Sequence, residues 1–221
     1  MWQIIQVAFP QTIAVAVSPI PLVALIVLAS GRRSSALSFA LGWLLAAFVG
    51  IGAVTLLGRA ATSSGHAPST GRALFNLAVG LLFLALAWRS WSTRPRTDDP
   101  PTPTWLASVG GWSNLTCLGA GTAVIVLNAK NLPIMATLGA SIGTAHLSTV
   151  QAVVTAAVLA VLCAGSALVV VGLLYLGGEG GERRLAALRG LLIRWNNVIL
   201  AVLFGYMGLQ TVLNALAILF G

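Results

Sequence analysis

Six long apolar segments follow one another along the chain, separated by short polar or basic stretches. Their approximate bounds are residues 4–29, 36–57, 72–88, 115–143, 150–176 and 196–220. A helix that spans a bilayer needs about 20 mainly apolar residues, and each segment approaches or exceeds that length. The pattern predicts an all-α polytopic membrane protein with six transmembrane helices.

The fourth segment is interrupted by polar residues and a proline. Its centre reads VLNAKNLPIMATL and contains Asn128, Lys130, Asn131 and Pro133. Pro133 lacks a backbone N–H and disfavours a helical conformation at the residue before it, whereas Asn131 suits the N-cap of a new helix. We therefore predict two half-helices that meet near the membrane midplane. Lys130 is the chain's single lysine, and an ionisable group inside a membrane segment indicates a functional site.

The first segment carries a similar interruption, Ser18-Pro19-Ile20-Pro21. Ser18 suits an N-cap, and Pro19 suits the first position of a helix. This segment is therefore also predicted to be broken, while the second, third, fifth and sixth are predicted to be continuous. Residues 177–194 form a polar, basic connection before the sixth segment, and the amphipathic run GERRLAALRGLLIRW at residues 181–195 predicts a surface helix.

The order of one broken and two continuous segments occurs twice, which predicts a 3+3 inverted repeat with broken first and fourth helices. The predicted repeats are residues 1–90 and 113–221, joined by a Pro-rich cytoplasmic linker at residues 91–112. The two breaks should face each other and form a substrate-binding site. Its candidate residues are Ser18, Pro19, Pro21, Asn128, Lys130, Asn131 and Pro133. Half-helix N-termini and the lysine charge favour an anionic or neutral polar ligand there.

The charged residues are few and unevenly distributed. Hydrophobic residues make up 58% of the chain and charged residues 7%, with a net charge of +8 and a mean hydropathy of +0.96. Nine arginines fall in loops one, three and five, against two in loops two and four. Positive charge marks the cytoplasmic side, so both termini are predicted to be extracytoplasmic in the cytoplasmic membrane. The basic charge indicates contact with lipid headgroups and no nucleic-acid partner.

The acidic residues argue against several classes of chemistry. The chain has four, and all lie in predicted loops: Asp98, Asp99, Glu179 and Glu182. The apolar segments therefore hold no carboxylate pair for hydrolysis and no acidic metal ligands. No zinc, phosphate-loop or dinucleotide motif is present either. We expect a protein that is not an enzyme and that uses no metal or cofactor.

Small residues line one face of the second segment. Gly42, Ala46 and Gly50 are spaced four residues apart, which lets another helix approach closely. Two interpretations remain open at this point. The face packs against another helix of the same chain, or it forms a homodimer.

Three short motifs resemble a known transporter family. They are the run AVSPIP at residues 16–21, the pair Gly42-Trp43, and the run NAKN at residues 128–131. They resemble the GAP family of peptidoglycolipid-addressing proteins, within the lysine exporter superfamily of six-segment transporters. By layout the resemblance covers nearly the whole chain. It implies export across the cytoplasmic membrane and a link to envelope glycolipids. Metal exporters of that superfamily rely on membrane acids, which the apolar segments here lack.

These observations predict a secondary exporter of an anionic or amphiphilic envelope (glyco)lipid, or of a related small molecule. It would work by alternating access, with proton coupling through Lys130 as an open option. Two alternatives remain: a non-transporting accessory or assembly protein for envelope lipid biosynthesis, and an exporter of amino-acid-like small molecules. Lys130 also has a structural alternative, in which its side chain snorkels toward the membrane surface or pairs with a helix C-terminal carbonyl to stabilise the break. The prolines could likewise serve only as kinks.

Overall fold

A computed structural model of the protein describes residues 1–63, 69–94, 106–128, 130–145 and 147–220. This part of the chain is helical and contains no strand, which confirms the all-α prediction. Residues 95–105, the centre of the predicted Pro-rich linker, lie outside it. The helices are α1 (Trp2–Ala16), α2 (Pro19–Gly31), α3 (Arg33–Ser63), α4 (Ser69–Ser92), α5 (Leu106–Val109), α6 (Asn114–Val126), α7 (Asn131–Gly143), α8 (Thr149–Cys163), α9 (Gly165–Leu176) and α10 (Gly178–Phe220).

The number of candidate membrane spans among the described residues depends on how bent helix pairs are counted. Two helices, α3 over Arg33–Arg59 and α10, are long and apolar enough to cross a bilayer alone. The pairs α1–α2, α6–α7 and α8–α9 each add a span if the pair is taken as one, which gives up to five. Within α4, the stretch Leu77–Ser92 is apolar but shorter. The six-span inverted repeat therefore stays a prediction.

The predicted breaks in the first and fourth apolar segments are present. The chain bends by 64° between α1 and α2 and by 76° between α6 and α7. A third bend, of 65° between α8 and α9, falls in the fifth segment, and the prediction of a continuous helix there was wrong. The bend follows Cys163 and lies in the run Ala164-Gly165-Ser166. Gly and Ser together are a known cause of sharp kinks without proline.

The prediction for the last part of the chain also needs correction. The amphipathic run at residues 181–195 and the sixth apolar segment lie in one continuous helix, α10. No proline lies between Gly178 and Phe220, so the backbone has no obligatory stop at the polar-to-apolar change. The turn into α10 is made at its first residue, Gly178, whose φ of +51° is a conformation that glycine adopts without strain.

Helix α3 packs closely against α6 through two glycines. A Cβ atom added to Gly42 would lie 2.1 Å from the carbonyl oxygen of Leu118, and one added to Gly121 would lie 2.0 Å from that of Phe39. Gly50 of the same α3 face meets the Met135 side chain of α7. The face that includes Gly42 and Gly50 therefore packs within the chain. This supports the first interpretation above and leaves a homodimer to some other surface.

Helix α3 also packs against α7 beyond the break. A Cβ on Gly139 would lie 2.8 Å from the Ile51 carbonyl oxygen, and one on Gly143 would lie 2.8 Å from that of Thr55. The straight helix α3 thus contacts both halves of the second bent pair. Glycine at these positions lets the backbones approach, and the contacts hold α6 and α7 against a common support.

The chain divides into two compact units that alternate in sequence. The first contains Met1–Arg59 and Asp99–Arg194; within it α1 packs against α7, α8 and α9, and α2 packs against α5 and α9. The second contains Ala60–Asp98 and Trp195–Gly221, where Phe83 stacks on Phe204 with ring centroids 5.9 Å apart. Related repeats need not pack separately, so the predicted repeat boundaries at 1–90, 91–112 and 113–221 stay a prediction.

Candidate functional site where the two breaks meet

The first break is a short extended connection between α1 and α2. After Ala16, Val17 and Ser18 leave the helical conformation, with ψ angles of 86° and 95°. Pro19 then occupies the first turn of α2, as predicted. Ser18 is the N-cap residue by position, but its hydroxyl does not cap α2. It donates backward to the carbonyl of Val15 at 3.3 Å, so it serves the end of α1.

Lys130 links the second break to the first. Its side chain is only 1% exposed, and Nζ donates to the carbonyl oxygens of Ala14 at 2.6 Å and Val17 at 2.9 Å. Both carbonyls belong to the C-terminal end of α1, the negative end of the helix dipole. The predicted meeting of the two breaks is therefore observed in these contacts. The ammonium group neutralises carbonyls that the break leaves without intrahelical partners.

Ser166 completes the capping of α1 from a third bent pair. Its hydroxyl, one residue into α9 from Gly165, donates to the carbonyl oxygen of Ala16 at 2.5 Å. With the bonds from Lys130 and Ser18, each of the last three carbonyls of α1 has a side-chain donor. Ser166 was not among the site residues predicted from the sequence. The available signal was weak, because a serine beside glycine in an apolar run is common in membrane helices.

The second break is a tight turn made by its asparagines and Lys130. The Lys130 N–H donates to Asn128 Oδ1 at 3.3 Å, and the Asn131 N–H donates to the Asn128 carbonyl at 2.8 Å. Lys130 is the N-cap residue of α7, and Asn131 is its first helical residue. The predicted N-cap role of Asn131 was therefore wrong. Its N–H is already bonded inside the turn, which moves the start of the helix to this residue.

The Asn131 side chain instead caps the preceding half-helix. It is fully buried, and Nδ2 donates to the carbonyl of Val124 at 3.1 Å near the end of α6. Among the described residues its Oδ1 atom has no hydrogen-bond partner. An unsatisfied buried acceptor costs about 1–3 kcal/mol, so this oxygen would gain from a donor supplied by a ligand or by water.

The half-helix N-termini offer fewer free N–H groups for anion binding than the sequence predicted. Pro19 and Pro21 remove two of the first three N–H groups of α2. In α7, Pro133 removes the third, and the N–H of Asn131 is engaged in the turn. The polar groups that meet at the junction are therefore the Lys130 ammonium, the carbonyls at the end of α1 and the Asn131 amide.

Of the predicted site residues, Lys130 and Ser18 come together on the end of α1, and Asn128 and Asn131 shape the turn that presents the lysine. Pro19, Pro21 and Pro133 act through the backbone in their helices' first turns. We call this set, with Ser166, the break junction. It defines a helical membrane protein in which Lys130 links two bent helix pairs.

Comparison with protein families assigns the chain to one family within this class. The chain belongs to the sulfolipid-1-addressing protein (Sap) family, which matches residues 10–217. The family name agrees with the link to lipid addressing that the resemblance in the sequence implied, whereas membership of the GAP family itself stays a prediction. Membership of the lysine exporter superfamily stays a prediction. Comparisons with curated proteins and with solved structures find no match to the chain.

Proposed function

We propose that the protein is a secondary exporter that moves an anionic, amphiphilic envelope lipid or a related small molecule across the cytoplasmic membrane. The proposal includes six spans in a 3+3 inverted repeat, extracytoplasmic termini and alternating access. It is supported by the family, whose name describes the addressing of sulfolipid-1. A lipid with a sulfo group is an anionic amphiphile, which is the cargo chemistry expected from a buried lysine and an apolar chain.

The observation that carries the proposal is the link from Lys130 to the end of α1. The two hydrogen bonds to Ala14 and Val17 join two bent helix pairs through one side chain. An anionic headgroup would compete with these neutral carbonyls for the ammonium, because charge-assisted hydrogen bonds to anions are stronger. In the proposed cycle, cargo binding breaks the link and lets the first bent pair move relative to α7.

The surrounding contacts suit such a movement. Close packing of α3 through Gly42 and Gly121 holds α6, and packing at Gly139 holds α7. Helix α1 also packs against α7 and α8, but its polar link to the second break consists of side-chain hydrogen bonds, which exchange partners more easily than interlocked backbones. A donor on the cargo, such as a sugar hydroxyl, would satisfy Asn131 Oδ1 at the same time.

Proton coupling would act on the same link. If Lys130 gives up a proton, the neutral amine loses its electrostatic attraction to the end of α1, and the link weakens. Proton exchange and cargo binding are thus two ways to open one junction. The chain contains no nucleotide motif, so we propose no ATP-driven step and no enzymatic activity, metal or cofactor.

Transport by the purified protein tests the proposal against the accessory-protein alternative. The protein would be reconstituted into vesicles with labelled sulfolipid-1 in one leaflet, and its appearance in the other leaflet would be followed across a pH gradient. We expect transfer that requires the protein and that Lys130→Met removes. Ser141→Ala is the matched control, because that exposed hydroxyl bonds only within its own helix, to the Thr137 carbonyl.

Absence of transfer by a folded wild-type protein would favour the accessory or assembly role, in which the basic loops dock lipid-synthesis enzymes. Transfer of amino-acid-like solutes in place of lipid would favour the small-molecule alternative. A neutral lipid with matching tails distinguishes recognition of the anionic head from general lipid scrambling. Equal transfer of both lipids would contradict the role proposed for the Lys130 charge.

A further inference from the structure

A cavity of about 420 Å³ lies in the first unit, away from the break junction. It is formed where the last turn of α2, the last turn of α9 and the first third of α10 come together. Cavities that bind small molecules span roughly 300–1,000 Å³, so this one has room for a headgroup and the first part of a chain. Its apolar lining residues are Ile26, Ala29, Leu174, Leu185, Ala186 and Ile193.

Two charged side chains of α10 also line the cavity. Arg189 is half-buried, whereas Glu182, seven residues earlier on the same helix, is exposed at the rim. Within the described part of the chain, neither has a hydrogen bond or ion pair. The remaining polar group is the Ser30 hydroxyl, which is engaged with the Ile26 carbonyl at 3.0 Å. Arg189 is therefore a guanidinium beside an apolar cavity, with its donors available to an outside ligand.

The cavity lies at a strongly basic end of the helices. Arg32 and Arg33 follow α2 directly, and the guanidinium of Arg33 lies 5.9 Å from the ring centroid of Tyr175 in α9. Arg183 and Arg184 belong to the first turns of α10. Clusters of arginines at the ends of apolar helices attract anionic lipid headgroups, and an exposed tyrosine is typical of the membrane–water interface.

We propose that this cavity binds one anionic membrane lipid. The guanidinium of Arg189 binds the phosphate of the headgroup, and the beginning of one acyl chain occupies the apolar lining. Arginine suits this role because its planar fork can donate two parallel hydrogen bonds to a phosphate. The site shares no residue with the break junction, so the proposal stands independently of the exported cargo.

Native mass spectrometry of the purified full chain with phosphatidylglycerol or phosphatidylcholine tests the site. We expect wild type to retain one phosphatidylglycerol more tightly than phosphatidylcholine. Arg189→Gln should weaken that binding about tenfold, since a charge-assisted hydrogen bond is lost. Arg183→Gln is the matched control, because Arg183 lies on the same helix but does not line the cavity. Equal losses in both variants would overturn the site in favour of diffuse attraction to the basic surface.

Substitutions at two neighbouring alanines test the apolar half of the site. Ala186 lines the cavity, and its neighbour Ala187 is exposed and does not. Ala186→Phe should fill the cavity and abolish retention of the lipid, whereas Ala187→Phe should leave retention unchanged. Glu182→Gln should strengthen phosphatidylglycerol binding by removing a like charge from the rim. Unchanged retention in Ala186→Phe, or equal retention of both lipids by wild type, would overturn the proposal.

Discussion

The Nζ atom of Lys130 lies 2.6 Å from the carbonyl oxygen of Ala14, a residue 116 positions earlier in the chain. This contact places the Lys130 amine, positively charged when protonated, at the C-terminal end of a helix inside an apolar unit. A buried charge is tolerated only when nearby groups compensate for its lost hydration. Here the compensation comes from two carbonyls and the helix dipole. The charge and the helix end therefore stabilise each other. Without the helix end the buried charge would lose its compensation, and without the charge the carbonyls would lose their donors.

The crossing of α3 and α6 gives a prediction about stability. Gly121→Ala would place a methyl group 2.0 Å from the Phe39 carbonyl oxygen, and a helix backbone cannot shift locally to relieve that overlap. We expect the free energy of unfolding to fall by about 1–3 kcal/mol, which is the typical cost of overpacking a well-packed interior. Thermal unfolding of the purified protein in detergent measures it.

Gly119 provides the control on the same helix. It is exposed, and a Cβ there would meet no atom within 4 Å. Gly119→Ala should leave the unfolding temperature unchanged or raise it slightly, because alanine has the higher helix propensity by up to about 1 kcal/mol. Equal behaviour of the two variants would show that α3 and α6 do not cross at these glycines.

The side chain of Asn131 gives a second prediction. Asn131→Leu removes the donor to the Val124 carbonyl but also removes the unpartnered Oδ1, so we expect a modest loss of about 1 kcal/mol. Asn131→Asp keeps the shape but turns an acceptor toward a carbonyl in a buried place. It should destabilise the protein more than leucine does, by roughly a further 1–3 kcal/mol. Thermal unfolding of the two variants side by side decides the order.

If aspartate proved as stable as asparagine, the amide would not donate to the end of α6. The assignment of Nδ2 and Oδ1 would then have to be reversed. Transport by Asn131→Leu tests a separate point. If cargo satisfies Oδ1, the leucine variant should bind cargo more weakly even after its lower stability is taken into account.

The arginine distribution predicts the orientation of the chain. Thr93 follows α4 on the predicted cytoplasmic side, and Thr144 follows α7 on the opposite side; both are exposed. Cysteine at 144 should react with an impermeant thiol reagent added to intact cells, whereas cysteine at 93 should react only after the membrane is opened. The two native cysteines are buried, which keeps the background low. The reverse labelling pattern would place both termini in the cytoplasm.

Some features of this structure are local in the sequence, and these were predicted correctly. A proline beside a polar residue inside an apolar run breaks a helix whatever surrounds it, so the breaks at Ser18–Pro21 and Asn128–Pro133 were recognisable. The bend after Cys163 has no proline and was missed. Carbonyls at a helix C-terminus were one of the partners considered for Lys130, but the helix that supplies them was not recognisable, because it lies more than a hundred residues away in the chain. Any helix end offers such groups, so no side-chain pattern marks them.

The same distinction explains the Asn131 prediction. An asparagine before a proline-containing helix start is a common N-cap, and the local pattern favoured that role. The turn shifted the helix start by one residue because Asn128 supplies both a carbonyl and a side-chain acceptor to it. The amide of Asn131 was thereby left available for the end of α6. The outcome depends on which of two nearby asparagines supplies the acceptors of the turn, and the positions of the residues in the sequence do not reveal this.

Substitution of Lys130 is the sharpest test of the break junction. Lys130→Met should leave the carbonyls of Ala14 and Val17 without donors, which lowers the unfolding free energy by roughly 3 kcal/mol. If the lysine also serves cargo or proton exchange, transport per folded molecule should be abolished. Lys130→Arg keeps the charge but does not release its proton at ordinary pH, so transport that depends on proton exchange should fail in this variant as well.

The two substitutions should be compared in one reconstituted flux assay across pH, with folded protein quantified in each sample. Loss of transport in both variants indicates proton exchange, whereas substantial transport by Lys130→Arg indicates that a fixed positive charge for an anionic headgroup is enough. Normal transport per folded molecule by Lys130→Met, with a lower unfolding temperature, would reduce Lys130 to a structural cap of α1. Transport per folded molecule separates this last outcome from the others, because Lys130→Met loses the same two hydrogen bonds, and the stability they provide, in every case.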